Sequence, residues 1–136
     1  MFVRAALVLG SLLAVTLPAR SALAHPKLVS ASPAANASVE QSPALISATF
    51  NETLTLSLSK LTLIDAAQRA IPLEATKAAE GDPKTLTARV TVALKPGRYT
   101  AKWQAAGADG HPMRGEFTFL VVAPSGAGPS PKPPAR

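Results

Sequence analysis

Over most of this chain an apolar side chain returns at every second residue. Leu86, Ala88, Val90 and Val92 alternate with Thr87, Arg89 and Thr91. Ile46, Ala48 and Phe50 follow the same rule, as do Leu54, Leu56 and Leu58, then Tyr99, Ala101 and Trp103, then Phe117, Phe119 and Val121. Successive side chains of a strand point to opposite faces, so a period of two builds a ribbon with one buried side and one wet side. Residues 27–31, and 60–64 followed by 70–73, add less regular strands. Ser32-Pro33, Ser42-Pro43, Gly81-Asp82-Pro83 and Lys95-Pro96-Gly97 supply turns between them. No segment carries a sustained helical stripe with caps; 65–69 and 73–80 are too short or too mixed. The pattern predicts an all-β fold of about seven short strands in an antiparallel β-sandwich, with Trp103 and the phenylalanines in its core.

Both ends differ from this central region. Arg4 gives the N-terminus a positive charge, 5–17 is almost wholly apolar, Pro18 breaks the run, and Ala22-Leu23-Ala24 places small residues where a signal peptidase reads. That order predicts a secretory signal peptide over 1–24, and its apolar run falls short of the ~20 residues that span a bilayer. Cleavage after Ala24 would make His25 the first residue of the mature chain. At the other end PSGAGPSPKPPAR lacks large apolar groups, so 123–136 is expected to be a disordered, proline-rich tail. The remaining 25–122 suits a single domain.

Several chemistries are excluded by composition. The chain has no cysteine, which removes disulfides, thiolate metal sites and cysteine nucleophiles. The formal charge of +6 includes Arg4 and Arg20 in the leader and Lys132 and Arg136 in the tail. The domain keeps only a small positive excess, with its cations scattered and no aromatic interleaving, so no nucleic-acid surface is expected. There is no phosphate-cradling glycine loop, no nucleophile elbow and no pair of carboxylates at a recognisable spacing.

The chain has two histidines, His25 and His111. An N-terminal histidine can chelate one metal ion through its α-amine and its ring Nδ1. His111 lies in Gly107-Ala108-Asp109-Gly110-His111-Pro112, a polar connection of the kind that carries binding residues on a rigid scaffold. His111 offers a second imidazole and Asp109 a carboxylate oxygen. Three nitrogens and one oxygen suit Cu(II), which takes tetragonal N/O surroundings and stands high in the Irving–Williams order, whereas zinc favours a tetrahedron. The residues alone leave two alternatives open. His111 can simply bond its own turn, and an N-terminal histidine can be an accident of cleavage.

His25-Pro26-Lys27-Leu28, Ser32-Pro33, Phe50-Asn51-Glu52, Gly81-Asp82-Pro83-Lys84, Gly97-Arg98-Tyr99, Trp103, Asp109-Gly110-His111-Pro112 and Gly115-Glu116-Phe117-Thr118-Phe119 occur in this order. Together they resemble the CopC family of periplasmic copper-resistance proteins from His25 to Val122. The resemblance implies a Greek-key β-sandwich or barrel of immunoglobulin-like or cupredoxin-like shape. It also implies a periplasmic location and a Cu(II) site, one ion per chain, built from His25, Asp109 and His111. Glu52 matches an acidic position near that site in some members, against the plainer reading of an exposed charge at a strand end. Some members also carry a methionine-rich segment that binds Cu(I). Here the corresponding stretch 61–73 has neither methionine nor histidine, and beyond Met1 only Met113 remains, so a separate Cu(I) site is not expected.

These expectations describe a monomeric copper carrier or buffer rather than an enzyme. Its partners would be the copper ion and an inner-membrane copper-transport protein. Two other classes stay in view. One is a copper-dependent oxidative enzyme with an N-terminal histidine brace, which would consume oxygen in the presence of a reductant. The other is a metal-free sandwich serving in assembly, whose melting temperature copper would leave unmoved.

Overall fold

The computed structural model describes residues 25–126; the expected leader and most of the expected tail lie outside them. Nine strands follow in order: β1 Leu28–Ser32, β2 Ser38–Val39, β3 Leu45–Phe50, β4 Lys60–Asp65, β5 Ala70–Ile71, β6 Lys77–Ala79, β7 Asp82–Arg89, β8 Gly97–Ala106 and β9 Pro112–Val121. They form two sheets, one ordered β1-β3-β7-β6 and the other β2-β9-β8-β4-β5. Every pairing is antiparallel except the short β2–β9 contact. The fold is the expected β-sandwich. Its strand count exceeds the expected seven because two-residue strands, β2 and β5, and the three-residue β6 edge the longer ones.

The alternating residues do what their spacing requires. Ile46, Ala48 and Phe50 of one sheet meet Leu61, Leu63, Tyr99, Ala101, Phe117, Phe119 and Val121 of the other in one buried core, with Leu86 and Ala88 beside them. Burying side chains of this size stabilises the sandwich by roughly 1.5–3 kcal/mol each. Tyr99 stacks on Phe119 with ring centroids 5.7 Å apart, and Phe50 meets Trp103 edge to face at 5.0 Å. Trp103 is half-buried and lies across Gly115, its cross-strand partner, where no Cβ would fit.

Two alternating runs depart from expectation. β7 ends at Arg89; Val90 makes an isolated bridge to Leu73, and Val92 is exposed. Leu54, Leu56 and Leu58 do not form a strand. The segment folds into a 3-10 turn, Leu56–Leu58, with none of its residues buried. Here hydrogen bonding overrides the apolar period. Leu58 N–H donates to Thr55 O (3.1 Å), the Ser59 hydroxyl donates to Thr55 O (2.9 Å), and Ser59 Oγ accepts from Ala106 N–H (3.1 Å). Ser59, buried between them, closes the turn before β4 can begin.

Candidate functional site

The β8–β9 connection turns at one end of the sandwich. Gly110 N–H donates to Gly107 O (3.1 Å), and Gly110 sits at φ +77, a left-handed conformation that glycine adopts without strain. Asp109 then accepts the His111 backbone N–H on Oδ1 at 3.1 Å, an Asx turn, and its Oδ2 stands 3.2 Å from His111 Nδ1. A carboxylate only accepts, so this contact places the ring proton on Nδ1 and leaves the Nε2 lone pair open. The histidine side chain is 73% exposed and the aspartate side chain 17%.

Hydrogen bonding from the His111 backbone N–H, then from its ring, holds the Asp109 carboxyl below its usual 3.8, and the nearby charge of His25 acts in the same direction. His25 therefore lies within electrostatic reach of the pair. Lys27 anchors the segment that carries it: Lys27 N–H donates to Asn51 Oδ1 (2.8 Å), and Asn51 N–H returns a bond to Lys27 O (3.1 Å). Among the described residues no three histidine, aspartate or glutamate side chains are gathered closely enough to hold a metal ion by themselves. The fold thus makes one tight pair, Asp109 and His111, and brings His25 near it.

Glu52, next to Asn51, reaches the same loop. A Cβ on Gly107 would stand 2.5 Å from Glu52 Oε2 and 3.0 Å from its Cδ, so the carboxylate packs directly on this glycine. Among the described residues Glu52 Oε1 and Trp103 Nε1 are the buried side-chain polar atoms with no hydrogen-bond partner. A buried acceptor without a donor is costly, and it is not the exposed strand-end charge that the sequence also allowed. Thr55 escaped notice in the sequence. Its hydroxyl donates to Gly107 O (3.0 Å) and its N–H to Ala106 O (2.8 Å), pinning the loop from the far side. No local motif marks Thr55 or Gly107, because both contacts join residues some fifty positions apart.

Fold and site together define a small β-sandwich that presents an imidazole–carboxylate pair at one end, beside its first strand. The chain belongs to the CopC family, whose domain matches residues 28–122. Copper resistance protein C of Xanthomonas campestris pv. juglandis is 36% identical over 115 residues, covering 81% of this chain and 90% of that protein. The crystal structure of CopC from Methylosinus trichosporium OB3b superposes with a TM-score of 0.67 at 29% identity, covering 73% of this chain and 95% of that one. PcoC, described as a methionine-rich copper resistance protein from Escherichia coli, superposes with a TM-score of 0.65 at 30% identity, covering 72% and 99%. The family ties the chain to copper.

Proposed function

We propose that this protein is an exported periplasmic carrier or buffer of Cu(II), holding one ion with His25, Asp109 and His111. The observation that carries the reading is the Asp109–His111 pair, fixed by its Asx turn at the end of the sandwich where the chain emerges from His25. Side chains alone do not complete a chelate there. Cleavage after Ala24 supplies the missing donor, an α-amine that closes a ring with His25 Nδ1. His111 adds an imidazole nitrogen. Asp109 Oδ1 keeps the turn, while Oδ2 exchanges its ring contact for the ion. Glu52, buried beside Gly107 with an unmatched acceptor, adds negative charge around the cation. No second site for Cu(I) is proposed, since 61–73 offers no thioether and such soft ligands are what Cu(I) selects.

Ligands that must lose protons make the affinity fall with pH. Binding should weaken as pH falls, because protons then compete with the ion for the imidazole and amine nitrogens. The deciding experiment is Cu(II) titration of the chain beginning at His25, beside a version with one alanine inserted before it. Tight one-to-one binding by the first and a large loss in the second is the expected result. Equal binding by both would remove the α-amine from the site, and no binding by either would leave a metal-free sandwich.

A further inference from the structure

The Leu56–Leu58 turn spends two leucines on solvent: Leu56 is 42% exposed and Leu58 43%. The turn rests against the proposed copper loop. Leu58 Cδ1 is the nearest neighbour to the space where a Gly110 Cβ would stand (3.8 Å), and Thr55, which opens the turn, holds Gly107. Gln104 ties the same turn to the outer face of its sheet. Its amide donates to Leu58 O (3.0 Å) and its carbonyl oxygen accepts from Arg114 Nε (3.0 Å). Gln104 is flanked in register by Lys60 on one side and Arg114 on the other. Both cations are exposed, and neither makes an ion pair among the described residues. One row further along, Lys102 faces Glu116 across the strands, and Arg98 follows at the far end of β8.

We propose that Leu56 and Leu58, backed by Lys60 and Arg114, form the docking lip for the protein that exchanges copper with the His111 end. The partner surface carries an apolar centre with acidic side chains around it. This inference rests on the copper reading for its purpose. The sign of the partner's charge follows from the uncompensated cations beside the leucines, and an apolar centre inside a polar rim is the ordinary anatomy of a protein interface. A second copy of the chain would set like charges against each other. A lipid headgroup offers phosphate oxygens and at most a lone amine, whereas a protein partner brings imidazole or sulfur ligands that can compete with His111 for Cu(II).

Three synthetic peptides provide the test. All share a Gly-Gly-His head that chelates Cu(II), followed by a tail alternating leucine with aspartate, serine or lysine. Amide shifts of the copper-free chain beginning at His25 report docking without any metal. The aspartate peptide is expected to move the amides of 56–60 and 110–114 and to bind at least fivefold more tightly than the serine peptide, with the lysine peptide weaker still. The Leu56→Ser/Leu58→Ser double variant should lose that binding at least fivefold. Lys60→Glu/Arg114→Glu should turn the preference toward lysine. Copper titrations of both variants run beside the peptide measurements, so that a loss of docking is read separately from any change at the ion.

Equal binding of the three peptides, or shifts confined to other surfaces, would overturn the proposal. The same shifts with phosphatidylglycerol vesicles and no peptide preference would overturn it in favour of a membrane. Their appearance on raising the protein concentration alone would do so in favour of self-association. Failure of the parent to bind Cu(II) would sink the copper reading, while docking is judged on the peptide shifts alone.

Discussion

Gly107 shows how much of the site depends on a missing atom. Because it has no Cβ, the Glu52 carboxylate can lie against the backbone that leads to Asp109. Gly107→Ala should cost about 1–3 kcal/mol, the usual penalty of overpacking, read as a lower urea midpoint together with weaker Cu(II) binding. Gly126→Ala is the control, since its Cβ would meet nothing within 4 Å. An unchanged midpoint for Gly107→Ala would mean that Glu52 has room to move away, and with it that the carboxylate is not held at the loop. The Asp109–His111 contact was legible in the sequence as the plainer of its two readings, because an aspartate two residues before a histidine, with glycine between, can bond its own turn. The Glu52–Gly107 contact was not, since nothing nearby in either segment encodes the other.

At the scale of elements, two turns are stapled by aspartates. Asp82 accepts the Thr85 hydroxyl (2.6 Å) and the Lys84 N–H (2.9 Å) at the start of β7, and Thr85 in turn meets Thr49 of β3 at 2.7 Å. Asp65 accepts from the N–H groups of Ala67 and Arg69 (2.9 Å each) and from the Arg69 guanidinium (2.8 Å) between β4 and β5. The Thr85 bond is the main cause holding Asp82 below its usual 3.8, and the Arg69 N–H is the main cause for Asp65. A folded value below the unfolded one means that the stability these groups add is complete above about 3.8 and is lost as pH falls through the lower, folded value. Carboxyl NMR titration should therefore place both midpoints under 3.8; a midpoint at or above it would rule out the staple.

The same scale shows where sequence pattern was and was not sufficient. β3, β7, β8 and β9 could be read from alternation because each buries every second side chain over part of its length: Ile46, Ala48 and Phe50; Leu86 and Ala88; Tyr99 and Ala101; Phe117, Phe119 and Val121. Leu54 to Leu58 alternates just as well, yet Ser59 and Thr55 draw the chain into a turn through bonds to Ala106 that lie outside any local window. β2, β5 and β6 are too short to leave a period at all.

For the molecule as a whole, a ligand that binds only the folded state must raise its stability. With free Cu(II) about a hundredfold above the dissociation constant, the gain is ~2.7 kcal/mol, equivalent to roughly 10–20 °C in a domain of this size. Thermal melts of the chain beginning at His25 should show this shift, and the alanine-extended chain should show much less. An unmoved Tm in the first, under conditions where titration shows binding, would mean that the unfolded chain binds copper equally well.

The polarity of β9 has a practical side. The strand starts at Pro112, one residue after His111, and runs ten residues to Val121, which pairs with Gly97 at the opposite end of the sandwich. At about 3.4 Å per residue, that is a separation of roughly 30 Å. A biotin or affinity handle attached after Val122 would therefore hold the molecule by its far pole and leave the histidine end facing the liquid. Any handle placed ahead of His25 would cap the α-amine assigned to the proposed copper site. Sensor surfaces and pull-down resins should accordingly be loaded through the C-terminal side.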